Sequence, residues 1–136
     1  MTIPEQVPGL RAYSVLVGVY ALIWIALEGH LARASVLGVA VALWLLAVVF
    51  RRWLAGRQMT LPHWIAVCGA LGAITGFMSA MLTLLLMAVK TGLHAHGPEF
   101  SPSQIAWVIG QAPWWTSAGL LAGAGLAMIV TVFSQR

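Results

Sequence analysis

The chain is expected to be all-α, an integral membrane four-helix bundle made of two antiparallel helical hairpins. Three observations carry that expectation. Of 136 residues, 61% are hydrophobic and only 7% are charged, against about a quarter charged in soluble domains. Charged residues divide the chain into apolar runs of about the 20 residues needed to cross 30 Å of hydrocarbon. A soluble surface needs far more polar cover than this composition supplies. The whole chain, 1–136, is read as a single transmembrane domain.

The first span is placed at about 10–28, between Arg11 and Glu28. Ala32-Arg33-Ala34 resembles a signal-cleavage site, but the apolar run is long for a signal and Glu5 precedes it, so a retained span is expected. The second span, about 34–50, lies between Arg33 and the pair Arg51-Arg52. A connection of about five residues makes these two spans an antiparallel hairpin. The third, about 62–89, opens at Pro62, suited to a first helical turn, and stops before Lys90 with Gly92 placed to end it. The fourth, about 113–133, closes before Ser134-Gln135-Arg136.

Between the third and fourth spans, Gly97-Pro98 excludes helix, and Ser101-Pro102-Ser103-Gln104 forms a capping box. It starts a short helix, about 102–111, with Ile105, Val108, Ile109 and Ala112 on one face. This helix is expected to lie at the outer interface and to end or kink at Pro113; a single long helix bent at that proline is the alternative.

Orientation follows from the basic residues. The termini and second loop carry Arg11, Arg51, Arg52, Arg57 and Arg136, whereas the first and third loops carry Arg33 and Lys90. The positive-inside rule places both termini in the cytoplasm, in a plasma (inner) membrane or equivalent energy-transducing membrane. Trp53 and Trp64 then mark the inner interface, and Trp107, Trp114 and Trp115 the outer one. The net charge of +4 forms no basic stripe of the kind that binds nucleic acid.

Apolar burial does not drive helices together in lipid, so close backbone approach matters. Gly69, Gly72 and Gly76 in the third span, and Gly119 and Gly123 in the fourth, are spaced to pack one helix on the other. Partner binding is the competing use of such a stripe.

Three features compete for chemistry. His94-x-His96-x-x-Glu99 offers imidazole and carboxylate ligands for a zinc-like metal, and the topology adds Glu28 and His30 on the same side. Solvated loop histidines are the plainer reading. Glu28 with Lys90 is a candidate ion pair, and Glu28 a candidate transport acid, although it ends its helix rather than sitting mid-span. His63 is a weak axial-ligand candidate at the end of a span. The sequence contains no Asp, no Walker, Rossmann or CxxC motif, and one cysteine, Cys68, with no charged neighbour.

The expected function is a non-catalytic accessory or structural subunit of a larger membrane complex of the respiratory or photosynthetic electron-transport type. Its partners would be the bilayer and other membrane subunits, with no soluble substrate, no nucleic acid and no resident cofactor. A small oligomeric transporter or channel using Glu28 is the alternative, and an outer-face metal-binding protein the third.

Overall fold

A computed structural model describes residues 7–93 and 99–134. The described residues are helical almost throughout, with four α-helices: α1 (Leu10–Ala26), α2 (Leu31–Val49), α3 (Leu61–Leu93) and α4 (Pro102–Ser134). Three helical segments, Leu31–Leu54, Leu61–Leu93 and Pro102–Phe133, are long and apolar enough to cross a membrane. The 17 residues of α1 rise about 26 Å, short of a 30 Å hydrocarbon core. The expected first span, about 10–28, is therefore trimmed to a helix that stops before Leu27.

The ends of α2 differ from expectation in an instructive way. Its start moves back from about 34 to Leu31 because His30 acts as N-cap, its Nδ1 accepting from Ala32 N at 3.3 Å. At its other end, Phe50–Leu54 winds as one π-helical turn, closed by Ala55 N donating to Phe50 O at 3.2 Å. The wider turn leaves Arg51, Arg52 and Trp53 exposed while Leu54 is buried. Gly56, at φ +75°, then reverses the chain in a left-handed conformation suited to glycine.

Gly92 does not end the third helix, because α3 continues through it to Leu93. Gly92 meets nothing within 4 Å, so it is tolerated near the helix end at only a modest propensity cost. Gly97-Pro98 lies outside the described residues. The separate interfacial helix at about 102–111 is also corrected, because α4 runs from Pro102 to Ser134 without interruption and contains Pro113. A proline removes one N–H and crowds the carbonyl four residues earlier. Here the rest of a 33-residue helix keeps its bonds on either side, and Thr116 and Ser117 donate to the carbonyls of Ala112 and Pro113 at 2.7 and 2.9 Å. The capping pair at its start is formed: Ser101 N donates to Gln104 Oε1 at 2.9 Å and Gln104 N to Ser101 Oγ at 3.3 Å.

Each helix packs chiefly on the next in sequence, and α3–α4 is the most extensive contact. Helices α1 and α2 run antiparallel, tied by Tyr13 Oη to Ala40 O and Trp44 Nε1 to Ser14 Oγ, both 2.8 Å. Helix α2 meets α3 at Gly38, where a Cβ would lie 2.9 Å from Thr83 N and 3.0 Å from Ser79 O. At the end carrying Lys90, all four helices contribute to one core: Trp24, Ala34, Leu37, Ala80, Met87, Val108 and Ala112, with Phe100 beside them. At the end carrying the arginines, a smaller cluster of Leu54, Trp64 and Ala127 forms instead.

Candidate functional site

The Lys90 end holds the most concentrated polar arrangement. Helix α1 ends with Leu27 in an extended conformation, so its last carbonyls lack the amide partners that a left-handed C-terminal cap would provide. Lys90, fully buried on α3, supplies the donors instead. Its Nζ donates to Trp24 O at 2.9 Å, to Ile25 O at 2.8 Å, and to Leu27 O. The ammonium also lies 5.1 Å from the centre of the Trp24 ring, within cation–π range. A positive charge at a helix C-terminus complements the helix dipole, and the low dielectric around a residue with no solvent exposure strengthens the effect. The Trp24 indole N–H itself is buried and makes no hydrogen bond.

Glu99 reaches the same end. Its half-buried carboxylate packs against Gly29 so closely that a Cβ at Gly29 would overlap Oε2 and lie 2.8 Å from Glu99 Cβ. This puts Glu99 beside the turn formed by Glu28, Gly29 and His30. The Glu28 and His30 side chains are exposed, and His30 Nδ1 is engaged in capping α2. His94 and His96 lie outside the described residues. Among the described residues, no three His, Cys, Asp or Glu side chains gather around a common point. His63 is exposed in the first turn of α3.

The glycine seam between α3 and α4 is the second concentration of predicted residues. Gly72 faces Gly119 and Gly123, Gly76 faces Trp115 and Thr116, and Gly123 faces Cys68 and Gly72. The pairs 72/119, 76/115 and 68/123 keep a constant sum of residue numbers, as two antiparallel helices in one register require. A Cβ at Gly72, Gly76, Gly119 or Gly123 would collide with backbone carbonyls of the opposite helix. Gly69 is looser, with Leu120 Cδ1 at 3.4 Å from such a Cβ.

Beside this seam an apolar groove of about 570 Å³ opens between α2 and α4, with α3 as its floor. Leu43, Leu46 and Phe50 form one wall and Ala122, Leu126 and Val130 the other. Trp64 lines it toward the arginine end, where its ring meets Phe50 edge-on with centroids 6.1 Å apart. Cys68, a free thiol, also lines it.

Several hydroxyl groups within the helices are engaged locally, whereas Ser35 Oγ on α2 is buried without a hydrogen bond. Ser14, Thr75, Ser79, Thr83 and Thr131 each donate to the carbonyl four residues earlier at 2.7–2.8 Å, a common arrangement for hydroxyls in apolar helices. The geometry therefore offers a cation-capped helix end, a tight seam and an apolar groove. Sequence reasoning missed the carbonyl set around Lys90 and the groove; it grouped Glu99 with Glu28 and His30 but did not foresee its contact with Gly29. Gly38, an isolated small residue in a run of Val, Leu and Ala, was the available signal for the α2–α3 contact. No protein-family model, curated protein or solved structure matches the chain.

Proposed function

We propose that this chain is a non-catalytic accessory subunit of a larger membrane complex, of the kind found in respiratory or photosynthetic electron transport. It would cross the bilayer four times, as two antiparallel hairpins with both termini on the cytoplasmic side. The reading rests chiefly on one observation: each helix packs mainly on its neighbours in sequence and leaves wide apolar faces uncovered. Helix α4 leaves large apolar side chains exposed along its length, including Ile109 at 55%, Leu121 at 72% and Phe133 at 68%. Helix α1 does the same with Leu16 and Leu22. Lipid can cover such faces, and so can the helices of neighbouring subunits.

The polar groups fit this reading because they serve the chain's own architecture. Lys90 closes α1, His30 starts α2, and Ser101 with Gln104 starts α4. Glu28 lies exposed in the α1–α2 connection, which suits a headgroup-level residue better than a transport acid within a span.

Native electrophoresis after solubilisation in mild detergent, followed by mass spectrometry, tests the proposal. The chain is expected in a band far heavier than 14.5 kDa, together with larger integral subunits. A homogeneous monomer or small homo-oligomer would overturn it.

A further inference from the structure

The groove beside the glycine seam has features that a generic lipid-facing surface lacks. It is a recess of about 570 Å³, floored by small residues that α3 and α4 already need for close packing. Phe50 and Trp64 line its arginine end, and Val7 and Pro8 also line it. Immediately after Phe50 the π-helical turn presents Arg51 and Arg52 as exposed side chains. Arg11, at the start of α1, and Arg57 add positive charge at the same end. The described carboxylates, Glu28 and Glu99, are both at the opposite end. An apolar recess thus leads to a cationic mouth without a nearby described acid.

We infer that this groove holds one acyl chain of an anionic phospholipid, with the lipid phosphate engaged by Arg51 and Arg52. The lining favours a hydrocarbon chain: it is formed by aliphatic, aromatic and small residues, and the Thr75 hydroxyl among them already donates to Leu71 O at 2.7 Å. The charge favours an anionic headgroup, because guanidinium groups bind phosphate through paired N–H donors and basic residues at the cytoplasmic face select anionic lipid. The inference depends on insertion into a bilayer, as the proposed function does, but not on membership of a complex.

The test is native mass spectrometry of the full chain reconstituted in vesicles of equal phosphatidylglycerol and phosphatidylcholine, then released into mild detergent. The wild type is expected to retain one phosphatidylglycerol, preferred over phosphatidylcholine on the order of tenfold. Arg51→Gln with Arg52→Gln should keep a bound lipid but bring that preference close to parity. Ala47→Leu with Ala122→Leu, both lining the groove, should abolish lipid retention. Because Arg51 and Arg52 are exposed, their variant keeps the proposal falsifiable if the filled chain does not fold. Parity in the wild type, undiminished retention in a folded filled variant, or a dimer that the filled variant loses would each overturn the inference. A chain that did not float with the vesicles would overturn the membrane reading as well, whereas lipid parity in a floating chain would overturn this inference alone.

Discussion

Lys90 illustrates how a buried charge can be tolerated in a chain with few charges. Its ammonium carries three donors, and three carbonyls at and just past the end of α1 accept from it. Replacing it with methionine keeps similar length but leaves those carbonyls without this donor. Lys90→Met is expected to lower stability by about 2–3 kcal/mol, measured by equilibrium unfolding in mixed micelles. Glu28→Gln alters an exposed side chain and should stay within about 0.5 kcal/mol in the same assay. A loss for Glu28→Gln equal to that for Lys90→Met would show that Glu28 contributes to the stabilisation assigned here to the carbonyls. The sequence shows a lysine at the end of a span with an acid at the same level. It does not show that α1 ends in an extended Leu27, leaving carbonyls for the lysine to cap. That information lies in the meeting of two helices separated by more than 60 residues of chain.

At the scale of elements, the seam between α3 and α4 distinguishes glycines required by contact from glycines that are merely present. Gly72→Ala places a methyl group against the Gly119 carbonyl, whereas Gly125→Ala meets nothing within 4 Å. The first should cost about 1–3 kcal/mol through overpacking, and the second should be neutral or gain up to about 1 kcal/mol from helix propensity. Thermal unfolding of the two variants side by side checks this contrast; equal effects would contradict the seam. Four-residue glycine spacing was legible in both helices, because it follows directly from helical geometry. Pro113 was less legible. Its local chemistry argues for a break, but α4 continues across it, with regular helix extending on both sides. Pro113→Ala should therefore leave helix content unchanged by circular dichroism while raising stability by about 1–3 kcal/mol. A change in helix content would show that the proline sets the course of the helix.

For the whole molecule, charge is distributed unevenly between the two ends of the helices. Arg11, Arg51, Arg52 and Arg57 cluster where α1 begins and α2 ends, while Glu28, Lys90 and Glu99 occupy the other end. Composition and charge spacing made the helical, apolar character legible, because both are averages over long segments. The open groove was not legible, since it depends on how far α2 and α4 stand apart over α3. The proposed orientation puts these two ends on opposite sides of a membrane. Single cysteines at His30 and Arg57, in a Cys68→Ser background, can be challenged with a membrane-impermeant maleimide in intact cells. Labelling at position 30 before lysis, and at 57 only after lysis, is the predicted result; equal labelling of both positions in intact cells would contradict the account.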